Sequence, residues 1–134
     1  MEEGLGGAVI YYLDTQIVVW LCEARLRKLT ATARKAIENG DLVVSPMVLL
    51  ELEYLYEFQR ILRQPLALTS QLERQIGLKV KDCGFDAVTR TALFETWTRD
   101  PFDRLIVAQA KCDGAASLIT SDLKIRENYK RAVW

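Results

Sequence analysis

Ala8-Val9-Ile10-Tyr11-Tyr12-Leu13 is an unbroken apolar, β-prone run with no polar alternation, and it constrains the fold more than any other stretch. A strand that is apolar on both faces needs cover on both faces, which a parallel sheet packed between helices provides. Shorter runs of the same kind recur at 42–44 and 116–120, with a weaker, edge-like one at 78–81. Between them the apolar residues follow a helical period. Strands alternating with helices imply right-handed crossovers and an α/β fold with a mainly parallel sheet, whose ligands bind beyond the carboxyl ends of the strands.

The periodicity and its punctuation predict helices over 15–23, 29–39, 45–64, 69–77 and 86–97, and one from Asp100 to about Gly114. Thr30 starts the second and Asn39-Gly40 stops it. Ser45-Pro46 is a cap followed by proline at the first helical position, and Pro65 is read as closing that helix. A short last strand is expected at 132–134, and residues 1–7, rich in Gly, read as a loose lead-in. With 134 residues, half of them hydrophobic, the chain holds one real core and is read as a single domain over 1–134.

Charge and residue choice narrow the chemistry. Eighteen basic residues balance eighteen acidic ones, so a polyanion would have to be met by local clusters and not by a bulk field. Cys22, Cys83 and Cys112 form no C-x-x-C pair and suit free thiols in a reducing cytoplasm. There is no His at all. That excludes Ser-His-Asp and Cys-His catalysis and leaves a metal mostly oxygen ligands, and oxygen-only sites favour Mg²⁺ or Mn²⁺ over Zn²⁺. Glu2 and Glu3 stand where a signal peptide would carry positive charge, and no apolar run reaches membrane length, so a cytoplasmic protein is expected.

Four acids stand out. Asp14 follows the opening strand and Asp122 follows the strand at 116–120, so both belong to the carboxyl edge of the sheet. On the wheel of the 45–64 helix, Glu51 has Met47, Val48, Tyr54, Leu55 and Phe58 around it, a lone acid in an apolar stripe that needs a cation or a donor. In Asp100-Pro101-Phe102-Asp103, Asp100 is the N-cap, Pro101 is at N1 and Asp103 is at N3, where a carboxylate faces the positive helix end. Asp103 joins the others only if the loop from Trp97 reaches over the carboxyl edge.

Tyr12-Leu13-Asp14-Thr15, Ser45-Pro46 with Leu49-Leu50-Glu51-Leu52, Asp100-Pro101-Phe102-Asp103-Arg104 with Val107-Ala108-Gln109-Ala110, and Leu118-Ile119-Thr120-Ser121-Asp122 occur in this order over nearly the whole chain. Together they resemble the PIN-domain ribonucleases, and within them the VapC-type toxins of toxin–antitoxin pairs. The resemblance implies a three-layer α/β/α sandwich in which Asp14, Glu51, Asp103 and Asp122 converge on one or two Mg²⁺ or Mn²⁺ ions to hydrolyse RNA. It further implies a small antitoxin partner and a homodimer. Many members carry His two residues after the first Asp, whereas this chain has Gln16, a difference expected to bear on substrate choice or rate.

Thr120, Arg104 and Gln16 are the candidate substrate contacts, Thr120 also as a residue that orients a carboxylate, with Thr15 and Ser45 as further candidates. Arg99, Lys124 and Arg126 could track an RNA backbone, and Tyr12, Trp20, Trp97 and Tyr129 could stack bases or pack in the core. The competing reading is a non-catalytic module of the same fold that binds a protein. A haloacid-dehalogenase-like phosphatase would need Asp-x-Asp after the first strand, where Gln16 stands, and a receiver domain would need an additional acidic pair and a late Lys.

Overall fold

The opening run becomes the middle of the sheet. In the computed structural model, which describes residues 9–134, Ile10–Leu13 is β1, followed by β2 (Asp41–Val44), β3 (Lys79–Val80), β4 (Ser117–Ile119) and β5 (Ala132–Val133). The lead-in at 1–7 and Ala8, the first residue of the expected strand, lie outside the described residues. All pairings are parallel and the order is β3-β2-β1-β4-β5. Tyr12 is opposite Val43 on one side and Leu118 on the other. The chain thus builds outward from β1 through β2 to β3, then crosses back to lay β4 on the free side of β1. The carboxyl ends of β1 and β4 therefore flank the topological switch point, where a cleft opens in such sheets.

Seven helices cover the sheet: α1 (Thr15–Cys22), α2 (Ala31–Asn39), α3 (Pro46–Glu57), α4 (Pro65–Ile76), α5 (Phe85–Ala92), α6 (Pro101–Cys112) and α7 (Leu123–Asn128), with a 3₁₀ turn at Leu26–Lys28. Alternation along β1 shows the two layers. Tyr11 packs against Gly40 and Ala36 at the end of α2, whereas the Tyr12 hydroxyl meets Gln109 and Asp113 on the α6 side. α1, α3 and α4 pack together and α5 pairs with α6, which gives the three-layer α/β/α sandwich. Leu13, Ile17, Leu52, Ile106, Leu118 and Ile119 are fully buried between them.

Caps set most of the boundaries. Thr30, Ser45, Asp100 and Asp122 each accept a hydrogen bond from an amide in the first turn of the following helix, and Gly77 ends α4 in the left-handed region at φ 73°. Pro65 does not close the 45–64 helix. The helix stops at Glu57, Gln59 takes φ 60°, and Pro65 opens α4 at its N1 position. The expected 86–97 helix also ends early, at Ala92, because Leu93 and Phe94 face solvent while Glu95 turns inward to an ion pair. The six-residue α7 has no counterpart in the sequence pattern, and Asp122, the acid at the strand end, is also its N-cap.

Gly40 is required by packing. A Cβ there would fall on the Tyr11 ring and lie 3.0 Å from the Ala36 carbonyl oxygen. Gly40→Ala should therefore cost about 1–3 kcal/mol, measurable as a lower denaturant midpoint with unchanged slope.

Candidate functional site

Asp14 leaves β1 with its amide bonded to the Ile119 carbonyl at 3.0 Å, which locks the end of β1 to β4. Its carboxylate is buried and N-caps α1: Oδ1 accepts from the Thr15 amide at 2.8 Å and Oδ2 from the Thr120 hydroxyl at 2.7 Å. Thr120 also accepts from the Asp122 amide at 3.0 Å, so one fully buried hydroxyl ties the Asp14 side chain to the turn that carries Asp122. Asp122 caps α7 through the Ile125 amide at 3.0 Å.

Glu51 comes to this edge on α3. Its Oε1 accepts from the Thr15 hydroxyl at 2.5 Å, so the required donor is a threonine and not a cation. The apolar-stripe placement needs correction. Val48 and Leu52 form the buried line of α3, while Tyr54 and Phe58 are 51% and 60% exposed. Glu51 is half-buried beside that line.

α6 runs antiparallel to the strands, so it begins at their carboxyl edge, and the loop from Trp97 does reach over it. Two ties hold that loop. Buried Glu95 accepts from Lys111 Nζ at 2.6 Å and from Trp97 Nε1 at 2.9 Å, and the Thr98 carbonyl accepts from Arg104 Nε at 2.8 Å. Asp100 then caps α6 through the amides of Phe102 at 2.8 Å and Asp103 at 3.4 Å.

The acids act on one another. The Asp14 carboxyl is pushed up, first by burial, against the opposing Thr120 and Thr15 bonds, and then by the charges of Asp122 and Asp100. Glu51 is raised to about 7 by burial, partly offset by Thr15, with Asp14, Asp100 and Asp122 adding to it. Asp103 is raised to about 7 by burial, then by Asp100, Asp14, Asp122 and Glu51. Asp100 is a fifth acid in this field, overlooked because its capping role accounted for it. Among the described residues no Lys or Arg lies within ion-pair distance of any of the five. Nor, among them, do three or more acidic, Cys or His side chains stand close enough together in this arrangement to hold a metal ion. The site is thus a gathering of like charges at one sheet edge, all oxygen donors, with no protein counter-charge in contact. Oxygen donors without nitrogen or sulfur are the ligand chemistry that hard divalent cations take.

The other candidates separate by burial. Thr120 and Thr15 orient carboxylates, and Ser45 is a buried cap of α3 through the Met47 amide at 3.0 Å. Gln16 is exposed on the first turn of α1, as are Arg99, Lys124 and Arg126 elsewhere. Arg104 is half-buried and spends Nε on the loop. None of the expected aromatics offers a free face for stacking: Tyr12 and Tyr129 are buried, Trp97 is held by Glu95, and Trp20 packs on Trp134 at 6.2 Å between ring centroids. Tyr54 and Phe58, 4.7 Å apart, are exposed instead, with Phe102 5.7 Å from Tyr54. Among the described residues no helix is long and apolar enough to cross a membrane.

Thr120→Val should leave Asp14 with one fewer bond to its ionised form and raise its pKa further. A pH titration of the Asp14 carboxyl by NMR should show the upward shift.

Among solved structures the chain is similar to a chain of VapBC2 from Rickettsia felis, crystallised bound to a DNA fragment from its promoter, with 21% identity, a TM-score of 0.60, and 89% of this chain and 92% of that chain covered. It is similar to PAE2754 from Pyrobaculum aerophilum at 22% identity and TM-score 0.56, covering 94% and 90% of the two chains. VapBC-1 from nontypeable Haemophilus influenzae gives 19% identity and TM-score 0.56, with 91% and 93% covered. At these identities the likeness is one of fold. No curated protein sequence matches the chain. Residues 11–131 match the PIN domain, a span that takes in Asp14, Glu51, Asp103 and Asp122 together with the β1–β4 switch point, and the chain belongs to the PIN domain family.

Proposed function

We propose that this chain is a divalent-metal-dependent endoribonuclease, the toxin of a toxin–antitoxin pair. The observation that carries the reading is the set of acids from four separate segments at the switch point, where burial and then the neighbouring charges raise Asp14, Glu51 and Asp103 and no Lys or Arg among the described residues is in ion-pair contact. Asp14 and Asp103 are our assignment for direct ligands of Mg²⁺ or Mn²⁺, and Glu51 and Asp122 for further ligands or holders of its water. When bound, the cation would lower the pKa of a water and neutralise charge on the leaving phosphodiester oxygen.

The chain's own residues supply the rest. Thr120 and Thr15 fix the rotamers of Asp14 and Glu51, so little reorganisation is left to the reaction. Glu51 Oε2, the oxygen Thr15 leaves free, takes a proton from water in this scheme. Gln16, Arg104, Arg99, Lys124 and Arg126 meet the RNA backbone. The likeness of the fold to chains of VapBC assemblies supports a small antitoxin partner, and we place the protein in the cytoplasm as a homodimer.

Purified protein incubated with end-labelled single-stranded RNA should cleave it in Mn²⁺ or Mg²⁺ and stop when a chelator is added. Asp14→Asn should slow cleavage at least about 100-fold. Cleavage undiminished in that variant marks a contaminant and sinks the nuclease reading in favour of a non-catalytic binding module.

A further inference from the structure

Apart from the acids, α3, α5 and α6 enclose a cleft of about 390 Å³, the size of a small-ligand site. Its walls are apolar, including Leu50 of α3, Phe85 and Val88 of α5 and Leu105 of α6. Gln109 also lines it, although that residue is only 2% exposed. The Gln109 amide nitrogen donates to Tyr12 Oη at 3.1 Å and to the Lys81 carbonyl at 2.8 Å, so both its donors are spent inside the protein. The Lys81 carbonyl can only accept, which fixes which end of the amide faces inward. No donor among the described residues reaches the Gln109 carbonyl oxygen. Yet Thr89 Oγ1, not this atom, is the buried side-chain atom left without a partner among them, so the carbonyl oxygen keeps some exposure, on a residue that lines the cleft.

Two other polar groups line the cleft. Asp82 has one carboxylate oxygen held by the Gly84 amide at 2.8 Å and the other available as an acceptor. Ser45, whose oxygen accepts from the Met47 amide, still has its O–H to give. The cleft therefore asks for a flat, apolar-faced ligand with two donors and one acceptor along its edge. An aliphatic side chain from another protein would leave the Gln109 oxygen dry and unpaired, a cost that a hydrogen-bonding ligand avoids.

We propose that this cleft is a nucleobase pocket selective for guanine. The Watson–Crick edge of guanine offers N1–H and the 2-amino group to the acceptors of Gln109 and Asp82 and O6 to the Ser45 hydroxyl. Phe85, 72% exposed, supplies the ring on which an unstacked base lies. Leu50 directly precedes Glu51, and Leu105 lies two residues beyond Asp103. A base held here belongs to a nucleotide close to the bond cut, an extension that rests on the RNA-cleavage reading above.

The test uses labelled full-length protein without divalent metal, titrated with guanosine, adenosine, cytidine and uridine 5′-monophosphates while the Leu50, Val88 and Leu105 methyls and the Gln109 side-chain amide are followed by NMR. The guanosine nucleotide should shift these signals and bind at least about tenfold tighter than the uridine nucleotide. Gln109→Leu should abolish that preference. Leu50→Trp, at a half-exposed position where folding is not at stake, should block binding by filling the cleft. Equal shifts with all four nucleotides, or none up to about 10 mM, overturn the pocket. Shifts that follow protein concentration alone also overturn it and assign the face to a second copy of the chain. Guanosine monophosphate binding in a protein that cuts no RNA removes the nuclease reading alone. RNA cleavage with no guanine at the cut site removes the pocket alone.

Discussion

Asp103→Asn should abolish RNA cleavage and at the same time make the metal-free protein more stable at pH 8. The carboxyl of Asp103 titrates at about 7 in the fold because burial and four neighbouring acids oppose its charge, against about 4 in an unfolded chain. The folded state therefore holds its proton more tightly than the unfolded one. Stability from this group is fully present below about pH 4 and is lost as the pH rises through about 7. Glu51, also raised to about 7, adds in the same direction.

The neutral amide removes one of these repulsions without changing shape. The melting temperature of the variant should exceed that of the parent by several degrees at pH 8 and match it only below about pH 4. Adding Mn²⁺ should reverse the ranking at pH 8, since only the parent keeps all its ligands, and should release protons into a weakly buffered solution near pH 7. Calorimetric melts at the two pH values, with and without metal, check every part. A variant that melts lower than the parent at pH 8 without metal would mean that Asp103 is paired with a cation after all.

Lys111→Met is expected to carry the largest stability cost outside the apolar core. Glu95 is 3% exposed and depends on Lys111 at 2.6 Å, with Trp97 as its other partner. Removing the ammonium leaves a buried carboxylate with one donor, which costs about 3–5 kcal/mol, a large share of the stability of a domain of this size. The sign of the rescue identifies the cause. Combining the change with Glu95→Gln should restore most of the loss, because the amide keeps the Trp97 bond and carries no charge. Since the same pair pins the loop that delivers Asp100 and Asp103, the single variant should also lose activity at temperatures where it is still folded. Urea denaturation of the three variants measures the cycle.

The two predictions draw on different depths of the sequence. Of the acids whose repulsion drives the first, Asp14, Asp100, Asp103 and Asp122 stand at a strand end or in a helix's cap and first turn, positions legible one by one, whereas Glu51 sits mid-helix. The pair behind the second is not legible in that way, since Glu95 sits in what reads as the continuation of a helix and Lys111 on what reads as a solvated face. Nothing within a turn of either residue announces that they meet.

The same division runs through the whole molecule. Apolar runs without alternation, proline after a cap, and glycine or asparagine at a stop act over one or two turns, so the sequence by itself determined a parallel sheet, its helical cover and an acid at the end of β1. What only the tertiary structure decided is which acids share a field, that Thr120 serves Asp14 from 106 positions away, that α3 breaks at Glu57, and that Gln109 on α6 spends its amide nitrogen on Tyr12 and Lys81. Those outcomes depend on how crossovers stack one layer on another, and packing energy between segments distant along the chain leaves no spacing to read.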